Sequence, residues 1–389
     1  MTEWKEYKLG EIGTVITGKT PSARNPEDWG DEILFVTPSD YRNYGKYANN
    51  SERKLSNIGA KRLLNKMLPP KSILVTCIGS DRGKVVMSKK NCITNQQINA
   101  LIPNKQFDND FLYYSLISIY DTLRIMGGDG TAVPIVNKGD FEKIVLSIPP
   151  LDEQRRISAI LSSLDDKIDL LRRENATLEA MAETLFRQWF VVEAKEEWEE
   201  GTVADFAQHC KESLNPQKHP TTVFQHYSIP AFDNGKNPTI ETGESIQSNK
   251  YVIPTNCILF SKLNPHKDKR VWFILSEVPD NAICSTEFQV VKPINHEYLY
   301  FLYGWLTNKE NYDEIASGVG GTSGSHQRID PKSIFSFSCP NVDIETIRNY
   351  NNKVEPLFYK IKNNQKQIIT LTESRDGLLG RLMSGEIKI

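Results

Sequence analysis

Ile157-Ser-Ala-Ile-Leu161-Ser-Ser-Leu164-Asp-Asp-Lys-Ile168-Asp-Leu-Leu171-Arg-Arg-Glu-Asn175-Ala-Thr-Leu178-Glu-Ala-Met-Ala182-Glu-Thr-Leu185-Phe-Arg-Gln-Trp189 sets an apolar or amide side chain at alternating steps of four and three residues. That alternation keeps one stripe of a helix facing one way, so the stretch predicts a long helix carrying the heptad seam of a coiled coil. The seam occurs twice. Shifted by 193 residues, the same spacing selects Tyr350, Val354, Leu357, Ile361, Asn364, Ile368, Leu371, Arg375, Leu378 and Leu382. Pro149-Pro150 and Pro340 stop the chain before each seam, and Asp152 and Asp343 stand where N-caps are expected.

Connection length decides the direction of the two helices. The first seam passes near Val191 into a new segment at Trp198 with almost no linker. A helix of about 40 residues is roughly 60 Å long at ~1.5 Å per residue, so parallel packing would demand a long return path. Antiparallel pairing is therefore expected. A buried amide is best met by another, so Asn175 opposite Asn364 fixes the expected register. It pairs Leu171 with Ile368, Ile168 with Leu371, Leu178 with Ile361, Leu161 with Leu378 and Trp189 with Tyr350. Only Leu164 meets a charged partner, Arg375, which Asp165 or Asp166 is placed to neutralise.

The rest of the chain repeats as well. Trp4-Lys-Glu-Tyr-Lys-Leu-Gly-Glu-Ile12 resembles Trp198-Glu-Glu-Gly-Thr-Val-Ala-Asp-Phe206, and Lys71-Ser-Ile-Leu-Val-Thr76 is echoed by Asn256-Cys-Ile-Leu-Phe-Ser261. Phe111-Leu-Tyr-Tyr114 has its echo in Tyr298-Leu-Tyr-Phe301, and Gly130-Thr131 in Gly321-Thr322. Short apolar runs such as Ile33–Val36, Ile73–Thr76, Val85–Met87, Ile258–Phe260 and Val271–Leu275 read as strands, and Phe107–Ile125 and His296–Ala316 as helices. The expected fold is α+β: two similar domains, 1–150 and 193–341, separated by an antiparallel two-helix coiled coil from 151–192 and 342–389, with an internal pseudo-two-fold repeat.

The chain has 389 residues, 39% hydrophobic and 25% charged, which suits two folded domains and excludes wholesale disorder. No apolar run reaches the roughly 18 residues a membrane helix needs and the start lacks a signal-peptide layout, so a cytoplasmic protein without membrane contact is expected. Cys77, Cys92, Cys210, Cys257, Cys284 and Cys339 are scattered without a C-x-x-C pair, which argues for reduced, mostly buried thiols. A formal charge of -2 conceals segregation. Residues 42–90 hold twelve Lys or Arg against Glu52 and Asp81, whereas 151–200 hold seven basic and thirteen acidic residues. Different parts of the chain are expected to meet different partners.

Two diverged domains, each followed by a similar long helix, resemble the specificity subunit of type I restriction-modification systems over essentially the whole chain. Ile16-Thr-Gly-Lys-Thr-Pro-Ser22, Ile148-Pro-Pro-Leu-Asp-Glu-Gln-Arg-Arg-Ile157 and Gly321-Thr-Ser-Gly-Ser-His-Gln-Arg-Ile329 carry the likeness together. The resemblance implies a sequence-specific reader of double-stranded DNA with two target-recognition domains, each taking one half of a split, asymmetric site. It also implies docking of two modification subunits, which carry the methyl-transfer chemistry, and of motor-endonuclease subunits in the full complex. The chain itself is then expected to hold no catalytic residue, metal or cofactor.

Amide and guanidinium groups make bidentate contacts to adenine and guanine, while lysines mostly hold phosphates. On that chemistry the DNA-contacting candidates of the first domain are Thr17, Lys19, Thr20, Arg24, Asp40, Arg42, Asn43, Ser80, Asp81, Arg82, Lys84, Asn95, Gln96 and Gln97. In the second they are Lys262, Asn264, Lys267, Lys269, Arg270, Ser323, Ser325, His326, Gln327 and Arg328. Any one of them can equally be an ordinary solvated loop residue.

Enzyme readings fare worse. Gly13-Thr-Val-Ile-Thr-Gly-Lys-Thr20 matches the phosphate-loop pattern, but polar residues precede it and Pro21 follows, so the required strand-to-helix junction is missing. No Asn-Pro-Pro-aromatic phrase for adenine methylation exists, and Pro279-Asp280 with Glu287-Phe-Gln289 lacks the lysine of a nuclease site. The six histidines show no helical metal spacing. A coiled-coil scaffold or a stand-alone DNA-binding regulator are the alternatives; the first does not explain the basic stretch, and the acidic helix faces at Glu174, Glu179 and Glu183 count against both.

Overall fold

The computed structural model describes residues 4–79, 82–126, 135–265, 269–275, 278–320 and 328–387. The chain divides into two units of mixed helix and strand, one formed by Met1–Arg172 with Lys366–Ile389, the other by Arg173–Gln365. The helices Leu151–Arg187 and Ile344–Met383 each contribute to both.

In the first unit, five strands order as Gly13–Thr17, Ile98–Pro103, Ile73–Thr76, Val85–Ser88 and Tyr47–Ala48. A four-stranded sheet of Trp29–Gly30, Arg53–Leu55, Ile33–Val36 and Cys92–Thr94 lies beside it in the fold. The buried strands read as unbroken apolar runs because both faces are covered. Leu34, Leu74, Val86 and Ala100 belong to one cluster, while Ile73, Val75 and Leu101 meet Phe111, Tyr114, Leu161, Leu379 and Leu382 in another. Burying each such side chain contributes about 1.5–3 kcal/mol.

A polar relay runs through the same unit. Lys46, 7% exposed, lies 2.5 Å from Asp110 and donates to Ser162 Oγ at 2.7 Å. Tyr114 donates to Asp165 Oδ2 at 2.6 Å, and Arg375 Nη1 donates to Asp165 Oδ1 at 2.8 Å. Burial alone would discharge Arg375, but Asp165 and Asp376 outweigh it and raise its pKa.

The second unit repeats the plan. One sheet orders Ala207–Cys210, Phe288–Pro293, Cys257–Ser261 and Val271–Ile274; another orders Ser213–Leu214, Lys250–Val252, Ala282–Ser285, Val223–Tyr227 and Thr239–Thr242. Phe186, Phe190, Phe301, Tyr350 and Phe358 share its largest core. Phe186 reaches so close to Gly304 that a Cβ there would lie 2.2 Å from its ring. Asn364 Nδ2 donates to Asn175 Oδ1 at 2.9 Å, and the rings of Trp189 and Tyr350 are 6.3 Å apart.

Three expectations need correction. The first long helix starts at Leu151, so Asp152 lies within its first turn, nearly fully exposed. Buried Gln154 does the anchoring instead, accepting from Asp108 N at 2.9 Å and donating to Pro149 O at 2.8 Å. At the second helix Asp343 does cap, accepting from Thr346 N at 2.8 Å, a bond that holds its carboxyl well below the usual range. Phe107–Ile125 is broken into Asn109–Ser118, capped by Asp108, and Tyr120–Ile125. His296–Ala316 likewise becomes a short 3-10 turn, Leu299–Thr307 and Lys309–Ser317. Apolar periodicity runs through these breaks, so it does not reveal them.

Candidate nucleic-acid interface

Antiparallel register gathers chain reversals at one end of the first unit's larger sheet. Thr17 lies opposite Asn99, Ile98 opposite Thr76, and Val75 opposite Val85, so the loops after Thr17 and Thr76 and before Ile98 share that end. The parallel pair Val36 and Thr94 brings the loop after Ile33–Val36 there too, fixed by Asn95 N donating to Val36 O at 3.2 Å. The predicted residues Thr17, Lys19, Thr20, Asp40, Arg42, Arg82, Lys84, Asn95, Gln96 and Gln97 are thus brought together by the fold, with exposed Arg24 further along the first loop.

Two of these loops are locked to one another. Lys19 N donates to Thr94 O at 2.8 Å, and Thr20 Oγ1 to Gln96 Oε1 at 2.8 Å. Gly18 permits the approach, since a Cβ would sit 2.2 Å from Asn95 O. Beneath them Thr17 Oγ1 donates to Asn99 Oδ1 at 2.7 Å, and Asn99 Nδ2 to Val136 O at 3.1 Å.

Some candidates already serve the chain. Asp40 is 3% exposed, and its carboxylate accepts from Thr37 N and from Glu52 N, each at 2.8 Å. Asn95 accepts from Gln97 N at 3.1 Å and donates to Gln97 Oε1 at 2.9 Å. Arg82 donates from Nε and Nη2 to Arg124 O. Lys19, Arg24, Arg42 and Gln96 are exposed.

The second unit builds the same frame. Thr76 N donates to Lys84 O at 3.0 Å, as Ser261 N does to Arg270 O at 3.0 Å. Cys77 N donates to Gln97 O at 2.8 Å and Lys262 N to Glu287 O at 3.0 Å; Val136 N bonds Cys77 O as Ile329 N bonds Lys262 O, both at 2.9 Å. Lys71 and Asn256 even share a positive φ, 65° and 54°. On this frame sit Lys262, Asn264, Lys269, Arg270 and Arg328. Arg270 is 8% exposed, and its fork is filled by Asp233, Nε to Oδ1 at 2.7 Å and Nη2 to Oδ2 at 2.9 Å. Lys269 donates to Thr307 O, and burial lowers its pKa. Half-exposed Arg328 binds Glu287 through both arms. Ser80, Asp81, Lys267, Ser323, Ser325, His326 and Gln327 lie outside the described residues, as does the side chain of Asn43.

Lys211 was not singled out from the sequence, and Glu287 was weighed only in the rejected nuclease reading. Glu287 occupies the position of Gln97, and Lys211 follows Cys210 as Thr17 follows Ile16, with Ile16 paired to Ala100 and Cys210 to Val290 in the matching strands of the two units. Aligning the repeats at the strand ends would have found them. Gly13–Thr17 is a strand of the sheet, and the next element is only the three-residue 3-10 turn Pro26–Asp28, so the strand-to-helix junction of a phosphate loop is missing. Among the described residues no three His, Cys, Asp or Glu gather as a metal site, and no helix is long and apolar enough to cross a membrane.

Residues 1–180 match the type I restriction modification DNA specificity domain. The chain is 27% identical over its whole length to the type I restriction enzyme MjaIX specificity subunit of Methanocaldococcus jannaschii, spanning 94% of that protein. Over 38% of its length it is 37% identical to the HindI specificity subunit of Haemophilus influenzae, covering 32% of that relative. In fold it is similar to the S subunit of a type I restriction-modification system from M. genitalium, with a TM-score of 0.59, 16% identity, and coverage of 98% of this chain and 96% of the other. The chain is thus similar over its whole length to type I restriction-modification specificity subunits, and its first 180 residues match the DNA specificity domain.

Proposed function

We propose that the chain is the non-catalytic reader of a cytoplasmic restriction-modification complex and takes a bipartite, asymmetric site in double-stranded DNA. Residues 1–150 would read one half and 193–341 the other. Segments 151–192 and 342–389 would form an antiparallel coiled coil that relates the two domains by a pseudo-two-fold repeat, sets the spacer and docks two modification subunits, with motor-endonuclease subunits joining for cleavage. Asn175 and Asn364 would fix its register. One observation carries the reading: the two sheet ends share backbone hydrogen bonds but differ in side chains, Gln97 against Glu287 and Thr17 against Lys211. One frame with two sets of side chains fits two unlike half-sites.

The test is co-expression with the neighbouring modification subunit, purification of the complex, and single-molecule mapping of methylated adenines in host DNA. A split motif with a fixed spacer, lost on deletion of this chain, is expected. Methylation unchanged by the deletion overturns the reading. Removing one heptad from each helix should shorten the spacer by roughly 10 Å of protein length and leave both half-sites intact.

A further inference from the structure

We infer that Glu287 and Arg328 together read one G·C base pair in the half-site of the second unit, an inference that rests on the DNA-reading function proposed above. Arg328 Nη2 donates to Glu287 Oε1 at 2.8 Å and Nε to Oε2 at 3.1 Å. A guanidinium fork held this way meets two acceptors side by side, the arrangement guanine offers through O6 and N7. The partner base supplies the complement: cytosine N4 is a donor, and the Glu287 carboxylate keeps lone pairs that Arg328 does not fill. At an A·T pair both contacts turn repulsive, since the fork meets the adenine amino group and the carboxylate meets thymine O4.

The backbone positions are firmly held. Lys262 N donates to Glu287 O at 3.0 Å, Ile329 N to Lys262 O at 2.9 Å, and Glu287 N to Ser285 Oγ at 3.2 Å. Both side chains remain reachable, Arg328 at 50% and Glu287 at 24% exposure. A lone carboxylate in a DNA-facing loop repels phosphates, so its presence beside Arg328 is explained by a base edge rather than a backbone contact. The counterpart in the first unit is Gln97, an amide held by Asn95, whose chemistry suits a different base.

The test uses full-length chain in complex with its modification subunit and compares methylated motifs for wild type, Arg328→Lys and Glu287→Ala. Wild type should show a G·C pair in one half-site, and both variants should relax selectivity at that single position by about tenfold. The other half-site and the spacer should be unchanged, which also controls for folding. If Glu287→Ala abolishes methylation, Glu287→Gln is scored instead: relaxation at that position supports the pair, and retained selectivity overturns it. Variants that keep the wild-type motif, or a half-site lacking G·C, overturn the inference while the split motif sustains the function. Wild type without any split motif overturns both.

Discussion

Asn364 Nδ2 lies 2.9 Å from Asn175 Oδ1, while the Oδ1 of Asn364 itself is buried without a partner. Among the described residues the pair is therefore incompletely satisfied, and burying its amides costs stability. Asn364→Leu alone should lower stability by about 1–3 kcal/mol, because it strands Asn175. Asn175→Leu with Asn364→Leu should recover most of that loss. Denaturant melts of the four chains in a double-mutant cycle measure the difference.

Asp165 holds Arg375 at 2.8 Å and accepts from Tyr114 at 2.6 Å. Asp165→Ala leaves Arg375 with Asp376 alone and removes the acceptor of the buried Tyr114 hydroxyl, so it should destabilise by roughly 2–3 kcal/mol, below the fully buried limit because Arg375 keeps a partner and some water contact. Arg375→Met should cost less. Chemical denaturation of both variants checks the order.

Gly304 has no room for a methyl group beside Phe186. Gly304→Ala should lower stability by about 1–3 kcal/mol through overpacking. Combining it with Phe186→Leu should be less harmful than either change added to the other, as read from thermal melting.

Burial, with Lys211 and Lys262 nearby, pulls the His209 imidazolium down to about 4. An unfolded histidine titrates near ~6.5, so as pH falls the unfolded chain binds the proton first. The contribution of neutral His209 is complete above ~6.5 and is lost as pH drops toward the folded value. His209→Phe preserves packing on Phe335, 5.4 Å away, and removes the titration. Its melting temperature should fall less between about pH 7 and about pH 5 than that of wild type.

Lys19 and Gln96 are neighbours at the first sheet end, yet different in chemistry. Lys19→Ala should weaken binding to all duplexes alike and reduce the salt slope by about 1. Gln96→Ala should chiefly weaken discrimination between sites. Anisotropy titrations of the assembled complex at several salt concentrations separate the two outcomes.

The mixed strand and helix content was legible in the sequence because short apolar runs and a heptad seam are periodic signals. Strand ends such as Thr76 and Ser261 aligned by repetition alone. Helix interruptions at Ile119 and Asn308 were not legible, since the apolar pattern continues past them. The candidate loops were chosen by residue type, which does not separate a group facing solvent from one already bonded: Asp40 and Arg270 have the right chemistry but serve the fold. Glu287 was weighed only as a nuclease carboxylate, because the sequence does not reveal its pairing with Arg328.

Leu379 and Leu382 complete a core that begins with Leu9 and Ile12. During synthesis that first core must wait, one side uncovered, until nearly the last turn of the second long helix has left the ribosome. A premature stop within that helix would therefore injure a part of the protein translated long before it, and a chaperone binding the nascent chain would find its target around Leu9 and Ile12 long after those residues emerged.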